Sequence, residues 1–310
     1  MGKRFSLTLA VIAAIGLATT ADAVVNIQSL GASARSAALG NAFVAIADDG
    51  DAVFANPAGL ATVEGRRLAY TNVSLLFSGI DGDNLGQHVA SFTQPLGGKM
   101  VLGLGYERIG SDLMSENGAF LSVGYQLSRN FQLGLTGKYL FWSVGDIPDD
   151  PISGADPLSN QSNGAIGLDV GLLWKSPIQG AQIGVLLKNA NEPNLAKTGG
   201  LGDAGALPMD LHVGASLPVA ETSMVTVQWV VRDLTDETDS RVVVGGETRL
   251  AEGLMLRAGG SKLFQDDASG DLNAGLGYKR NTLLFDYGYH IPLDLTETNG
   301  AHRFSIGYVY

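Results

Sequence analysis

The sequence predicts an all-β protein, a 14-stranded antiparallel transmembrane β-barrel with an N-terminal hatch inside the lumen. After residue 66, fourteen segments alternate between apolar and polar side chains, each near the nine to eleven residues of a tilted membrane strand. Long and short connections alternate between these segments. The chain ends on RFSIGYVY, an alternating stretch with aromatic residues on one face. Together these observations favour a closed barrel that crosses a membrane.

Residues 1–23 predict a secretory signal peptide that is removed from the mature protein. Lys3 and Arg4 form a positive start, residues 5–18 are apolar, and Ala21-Asp22-Ala23 is a small-residue cleavage site. The alternative is an N-terminal anchor helix, but the apolar stretch is short for a bilayer span. The chain has no cysteine, so we expect no lipid anchor at the cleavage site and no disulfide.

Residues 24–66 predict a compact hatch instead of another strand. This region is rich in Gly and Ala and ends in VFANPAGLA, whose Asn-Pro and Ala-Gly pairs are turn signals. We expect Asn56 to accept a hydrogen bond from its own following backbone and Pro57 to fix φ in that turn. Fourteen strands enclose a lumen too wide for side chains alone to fill, so a small-residue segment is expected inside it.

The barrel is predicted over residues 67–310. The predicted strands span 67–77, 87–95, 99–110, 118–128, 130–143, 163–175, 181–189, 208–217, 223–232, 240–250, 253–263, 269–279, 281–291 and 300–310. In the fourth strand Leu121, Val123 and Tyr125 alternate with Ser122 and Gly124, so the apolar set is expected to face lipid. The alternation is weaker where apolar residues fall on the lumen side, at Leu186, Val230 and Val243.

The connections predict the orientation and the location. The first and every second connection after it are long, as in 78–86, 111–117 and 144–162, whereas the others are short, as in 96–98 and 251–252. Short periplasmic turns and long extracellular loops are typical of outer-membrane barrels, and soluble sandwiches or propellers have no reason to keep that rhythm. We therefore expect an integral protein of the bacterial outer membrane, in contact with lipid and lipopolysaccharide.

The charge balance excludes a nucleic-acid partner. The chain has 20 Lys and Arg against 31 Asp and Glu, a net charge of −11, and removal of residues 1–23 would make it −12. Such a chain repels phosphate backbones. Acidic stretches such as DDGD at 48–51 and DGDN at 81–84 lack the full calcium-loop pattern. They are interpreted as solvated segments, with weak divalent-cation binding as the alternative.

Catalytic motifs are not evident in the sequence. The four histidines show no metal-ligand spacing, and no G-x-S-x-G elbow occurs. We therefore expect no enzymatic activity, no cofactor and no metal site.

Charged residues on the lumen register predict a belt across the lumen. They are Glu107, Lys138, Asp169, Arg241, Glu247, Arg249, Arg257, Asp286 and Arg303. Turn positions place Glu247 opposite Arg257, Arg257 opposite Gly275, and Gly275 near Asp286, with Arg249 beside them. This belt is either an ion-pair network that satisfies the interior or a guanidinium site for a substrate carboxylate or a hatch residue. The hatch charges expected to pair with it are Arg35, Asp48, Asp49 and Asp51.

Residues 31–61, GASARSAALGNAFVAIADDGDAVFANPAGLA, resemble the N-terminal signature of the FadL-like outer-membrane proteins, nearest to the PorV/PorQ branch. The matching pieces are ARSA at 34–37, LG at 39–40, AFVA at 42–45, ADD at 47–49 and NPAGL at 56–60. The hatch motif within them is Asn56, Pro57, Ala58 and Gly59. The rest of the chain agrees in strand number, because fourteen is the FadL-type number.

The resemblance implies a hatch in the lumen and passive transport of long-chain fatty acids or other hydrophobic compounds, often through a lateral opening in the wall. PorV-type relatives imply the alternative, an outer-membrane component that receives proteins exported by a type IX-like secretion system. The chain has 244 residues for the predicted barrel and lacks the large extracellular helical loops that hold a low-affinity ligand site. The expected partners are therefore hydrophobic small molecules or, in the alternative, secretion-system proteins.

Overall fold

The computed structural model describes residues 31–75, 86–111, 113–147, 158–177, 180–196, 205–235, 239–264, 270–293 and 300–310. The predicted signal peptide, the start of the predicted hatch and the DGDN stretch lie outside the described residues. In the described part of the chain, the helices are too short to cross a membrane.

Fourteen antiparallel strands close into a barrel in which each strand pairs with its neighbours along the chain and the first pairs with the last. They are β1 (Arg67–Leu75), β2 (Gly86–Gly97), β3 (Met100–Gly110), β4 (Met114–Gln126), β5 (Phe131–Val144), β6 (Ser162–Lys175), β7 (Gln182–Lys188), β8 (Asp210–Ala220), β9 (Ser223–Arg232), β10 (Asp239–Ala251), β11 (Leu254–Leu263), β12 (Gly270–Arg280), β13 (Leu283–Pro292) and β14 (Ala301–Val309). This confirms the predicted fold class, and no predicted strand end differs from the observed one by more than four residues.

One predicted connection is wrong. Residues 111–117 were expected to form a long loop, but β4 begins at Met114, so only 111–113 join β3 to β4. The polar residues 115–117 look like loop residues in the sequence. They lie in the sheet because they pair on both sides, with 108–110 of β3 and 141–143 of β5.

The two faces of the wall differ as the alternation predicted. On β5, the outward-facing Leu133 and Leu135 are 40% and 54% exposed, whereas Gln132 and Thr136 on the inward face are buried. Within the strands, all eight acidic residues occupy the inward-facing register: Glu107, Glu116, Asp169, Asp210, Asp239, Glu247, Asp271 and Asp286. An apolar outward face without carboxylates is the surface that lipid hydrocarbon accepts.

The N-terminal segment, residues 31–66, contains helices α1 (Ala34–Ala38) and α2 (Ala52–Ala55) and a 3₁₀ helix (Pro57–Thr62). A capping box of two serines starts α1, since Ser33 and Ser36 each accept a hydrogen bond from the other's backbone N–H. Asn56 starts the 3₁₀ helix by accepting from Ala58 N at 3.1 Å, which confirms the predicted turn. Pro57 follows at the first helical position, where its missing N–H costs nothing.

The segment lies inside the ring of strands. Helix α1 contacts β11 to β14, whereas the 3₁₀ helix contacts β3 to β6. These two groups of strands stand on opposite sides of the closed barrel, so one short segment reaches both only through the interior.

Candidate functional site

A track of glycines on the inner wall receives the N-terminal segment. At each of eleven glycines among the described residues, an added methyl group would lie less than 3.0 Å from an atom of residues 34–61. They are Gly103, Gly105, Gly124, Gly134, Gly171, Gly184, Gly214, Gly245, Gly259, Gly275 and Gly288. At Gly134 this methyl group would be 2.1 Å from the backbone nitrogen of Ala58. Side chains are excluded there because the segment's backbone already occupies the space.

The glycine track shows that the segment follows the wall. Ala34 lies against β13, Leu39 against β10 and β11, Val44 against β7 and β8, and Ala58 against β5. The turn at Gly40 has φ +67°, and a methyl group there would be 3.0 Å from Val243 Cγ1. The segment therefore lines the wall as a partial ring.

Hydrogen bonds attach the segment's backbone to the wall. The Gln228 side chain on β9 accepts from Phe43 N at 3.1 Å and from Val44 N at 3.0 Å. Asn56 donates through Nδ2 to Val44 O at 2.8 Å and to Leu172 O on β6 at 3.2 Å. The hatch-motif residues Asn56, Pro57, Ala58 and Gly59 are all buried. Asn56 thus joins two parts of the segment to the barrel.

A chain of alternating charges connects the segment to the lumen belt. Arg35 Nη1 lies 2.6 Å from Asp48 and 2.7 Å from Asp49. Its Nε and Nη2 donate to Glu247 of β10 at 3.1 and 3.3 Å. Arg257 of β11 then donates to Glu247 at 2.6 Å and to Asp286 of β13 at 2.5 Å. Burial opposes the charge of Arg35, but the three carboxylates outweigh it and hold the pKa of Arg35 above its ordinary value.

The belt differs from the prediction in its register. Glu247 pairs with Arg257 and Arg257 with Gly275 as expected, but Asp286 lies opposite Gly277, not beside Gly275. The two-residue turn is centred on 281–282 instead of 280, which moves the pairing by two residues. The Arg257–Asp286 contact still forms, because Gly277 has no side chain to occupy that space.

Two residues assigned to these charges on sequence lie elsewhere. Arg249 is exposed near the short-turn end of β10 and forms no ion pair with the described residues. Asp51 is buried and accepts a hydrogen bond from Ser33 Oγ, so it does not contact the belt. Burial, with the nearby Asp49 carboxylate, raises the pKa of Asp51 to about 8.

A second ion pair lies away from the N-terminal segment. Lys138 of β5 and Asp169 of β6 are buried and 2.6 Å apart, and Asp169 also accepts from Asn189 N at 2.8 Å. Both residues were placed on the lumen register from the sequence, but their pairing was missed. They lie on diagonal positions, since Lys138 is opposite Gly167, a relation that strand-by-strand reading does not single out.

An apolar cluster occupies the lumen between the segment and the long-connection end. Leu140 and Trp142 point inward from β5, and Phe54 of α2 meets Phe120 of β4 edge to face at 5.0 Å. Apolar residues of the β7–β8 connection complete the cluster, and Trp142 Nε1 donates to Leu195 O at 2.9 Å. The sequence signal for this cluster was apolar residues on the lumen register, which alternation alone treats as an irregularity.

The wall has a step beside strand β7. This strand pairs with β6 only from Val170 to Lys175, so residues 162–169 of β6 extend beyond it. The Asn191 side chain takes over part of the missing pairing, with 2.8 Å hydrogen bonds to Leu168 N and to Ile166 O. At this edge the Asn191 side chain and the Ala190 N–H, which donates to Leu168 O at 2.8 Å, replace a stretch of strand.

Comparisons with known proteins identify the fold. No family model and no curated protein matches the chain. Among solved structures, it is similar to the CymD monoaromatic hydrocarbon channel, with 14% identity, coverage of 93% of this chain and 99% of that one, and a TM-score of 0.65. It is also similar to the Ralstonia pickettii toluene transporter TbuX, with 15% identity, coverage of 92% of this chain and 99% of that one, and a TM-score of 0.66. A FadL homologue of Pseudomonas aeruginosa has 15% identity, coverage of 94% of this chain and 99% of its own, and a TM-score of 0.57.

These similarities span nearly the whole of both chains at low identity, and they show the fold alone. The PorV/PorQ assignment from the N-terminal signature stays a prediction. The chain therefore shares the closed 14-stranded antiparallel barrel of proteins described as hydrocarbon channels and as a FadL homologue.

Proposed function

We propose that this protein is an outer-membrane channel for the passive uptake of hydrophobic small molecules. The observation that carries the proposal is the apolar cluster in the lumen, around Trp142, Leu140 and Phe120. The lumen of a water-filled porin is polar. These side chains are buried against the N-terminal segment and the β7–β8 connection, so a compound passes only when the packing with that connection opens. Apolar side chains along this path favour compounds that gain about 25 cal/mol for each Å² of apolar area they remove from water.

The charges of the lumen favour neutral hydrocarbons over fatty acids. A fatty-acid carboxylate beside the apolar cluster would need an available guanidinium in the belt, since the exposed Arg249 lies near the short-turn end of β10. Arg35 and Arg257 already bind carboxylates of the chain, and the Arg257 side chain is only 2% exposed. This supports the ion-pair interpretation of the belt. The similar proteins, a monoaromatic hydrocarbon channel and a toluene transporter, agree with this substrate class.

In this proposal residues 31–66 are a fixed hatch, and the compound passes beside them. The close approach to eleven glycines and the hydrogen bonds to Gln228 support a hatch that stays on the wall. The step at β7 is the proposed exit into the membrane, because beyond Val170 the β6 edge is held by scattered hydrogen bonds from Ala190, Asn191 and Asn163 instead of a strand ladder. The signal peptide and the outer-membrane location belong to the same proposal.

Uptake of labelled toluene tests this function in bacterial cells that lack other hydrocarbon channels and express the protein. The lipopolysaccharide layer makes such cells depend on a channel. Leu140→Asn puts an amide on the apolar inner surface, and Ser143→Asn is the control on the outward face of the same strand. We expect the first to slow uptake at least about fivefold, a loss of about 1 kcal/mol, and the second to leave it unchanged.

Wild-type cells that take up toluene no faster than cells without the protein would refute the proposal. Uptake of a labelled long-chain fatty acid in preference to toluene would refute the substrate class. Purification in mild detergent addresses the alternative function raised by the sequence. Stable recovery of exported proteins, without lipid-like compounds in the lumen, would favour a secretion component.

A further inference from the structure

The outward face near the long-connection end carries a polar surface on β13, β14, β1, β2 and β3. On β1 and β2, the Tyr70 hydroxyl lies 2.7 Å from His88 Nδ1, and the two rings are stacked. Asn72 Nδ2 lies 3.3 Å from the same nitrogen. Because the amide of Asn72 is a donor, Nδ1 is assigned as the acceptor. The His88 ring therefore presents its Nε2–H as a donor.

The same arrangement recurs on β13 and β14. The Tyr287 hydroxyl lies 2.7 Å from His302 Nδ1, and the rings of Tyr287 and His302 are 5.9 Å apart. In both pairs the tyrosine and the histidine lie on neighbouring strands without being directly opposite each other. Each histidine is displaced by two residues toward the long-connection end. The two histidines are separated by β1 alone, so they stand roughly 10 Å apart across the sheet.

An exposed cation on β3 completes this surface. Arg108 of β3 is exposed, lies opposite His88 on β2 and opposite Asn117 on β4, and bonds to no described residue through its side chain. Tyr106 beside it is 42% exposed, and its hydroxyl donates to Asn117 at 2.8 Å.

The charges of the outward face are all of one sign within the described strands. Its charged residues are the basic Arg108, Lys262 and Arg280, and it has no carboxylate. The described strands therefore keep their acidic residues off the outward face, although the chain has a net charge of −11. Arg108 alone of the three stands beside histidines and tyrosines. Among the described residues, no carboxylate shares the outward face of these strands with the polar donors.

We propose that this surface, formed by Arg108, His88, His302, Tyr70 and Asn72, binds the phosphate of lipopolysaccharide in the outer leaflet. The Arg108 guanidinium and the Nε2–H of His88 are donors that phosphate oxygens accept, and guanidinium–phosphate pairs are strong. The exposed tyrosines place the surface at the interfacial level, since aromatic girdles mark that level in such barrels. The proposal rests on the membrane location in the proposed function.

Native mass spectrometry of the detergent-solubilised barrel, titrated with lipid A, tests this inference. Arg108→Ala should weaken binding about five- to tenfold, equal to about 1–1.4 kcal/mol. Two outward-facing cations are matched controls: Lys262→Ala lies at the same end on the other side of the barrel, and Arg280→Ala lies at the short-turn end. Both variants should bind lipid A with an affinity within about twofold of the wild type.

The phosphate requirement is tested with dephosphorylated lipid A and with inorganic phosphate as a competitor. We expect the first to bind as weakly as lipid A binds to the Arg108→Ala variant, and the second not to compete at millimolar concentration. Equal losses in all three variants, or equal binding of both lipids, would overturn the inference. Toluene uptake reports the proposed function separately, because none of these residues faces the lumen. Absent uptake with Arg108-dependent lipid binding would refute only the channel.

Discussion

The two halves of strand β5 show how one face of a strand serves two tasks. Near the short-turn end, the inward positions are Gln132, Gly134 and Thr136, and the segment's backbone lies against the glycine. Near the long-connection end, the inward positions are Leu140 and Trp142, which fill the space with their own side chains. Both halves are buried and share one register. The difference teaches that the neighbour inside the lumen determines the inward residue. Glycine is required where the segment's backbone touches the wall, and large apolar side chains fit where that backbone is absent.

Gly134→Ala should have the largest effect on this comparison. The new methyl group would lie 2.1 Å from Ala58 N and from Pro57 C, and backbone cannot move aside as a side chain can. We expect the 3₁₀ helix to leave the wall and the barrel to remain closed. Ion conductance in planar bilayers would then rise well above that of the wild type.

Gly137→Ala is the matched control for this change, because it lies on the outward face of β5 with nothing within 4 Å. Its conductance should equal that of the wild type. Unchanged conductance in Gly134→Ala would show that the glycine track does not hold the segment.

Trp142→Ala tests the other half of β5. Removal of a buried Trp costs about 3–5 kcal/mol, and here it also removes the donor to Leu195 O. We expect residues 194–196 to exchange their amide hydrogens faster and toluene uptake to change. Trp229→Ala on the outward face, where the side chain is 49% exposed, should leave both unchanged. Slow exchange at 194–196 in Trp142→Ala would contradict the role of the indole.

Arg35→Ala tests whether charge holds the segment in addition to shape. The substitution leaves Asp48, Asp49 and Glu247 close together without their shared cation, and we expect a loss of about 2–4 kcal/mol. Faster amide exchange over residues 31–40 is the measurement. Arg35→Lys should restore little, since a single ammonium cannot reproduce the two-nitrogen contact with Glu247. Full rescue by lysine would reduce the role of Arg35 to net charge.

Asn56 offers a smaller and more local test. Asn56→Ala removes the acceptor for Ala58 N and the donor to Val44 O and Leu172 O, a loss of about 1–3 kcal/mol. Asn56→Asp keeps the acceptor for Ala58 N but places a carboxylate oxygen against Val44 O and Leu172 O in a buried site, so it should lose at least as much as Asn56→Ala. Exchange of the 58–62 amides reports both. Identical exchange in wild type and Asn56→Ala would remove the anchoring role.

The smallest effect is a pH dependence from Asp51. Its pKa is raised to about 8, so the seated segment binds the proton more tightly than a displaced one. This contribution is complete below the ordinary carboxyl pKa, declines as the pH rises from there to about 8, and is absent at higher pH. Exchange of the residue 31–66 amides should therefore accelerate between about pH 4 and pH 8, beyond its intrinsic dependence, and the excess should level off above about pH 8. Asp51→Asn should abolish the excess, and an unchanged excess in that variant would assign it to another group.

Several features of the site were predictable because they follow local rules. The alternation of apolar and polar residues predicted the strands. The position of the short turn between β10 and β11 predicted the Glu247–Arg257 pair, because a short turn fixes the register of its hairpin. The Asn56 turn follows from the chemistry of one side chain and its neighbours. The Asp286 pairing was misplaced by two residues because the turn centre was misplaced by about one. Residues 115–117 were misassigned because polar residues join a strand when both neighbouring strands supply partners.

The sequence by itself determined the strand number, the two faces of each strand and the presence of an N-terminal element that is not a strand. These depend on periodicity and turn chemistry, which act over a few residues. Only the tertiary structure decided which glycines meet the backbone of the N-terminal segment, which of the charges expected to reach the belt does so (Arg35, to Glu247 across 212 positions), and that the β7–β8 connection enters the lumen. Those contacts depend on the closure of the barrel, which brings distant residues together, and no local pattern records such proximity.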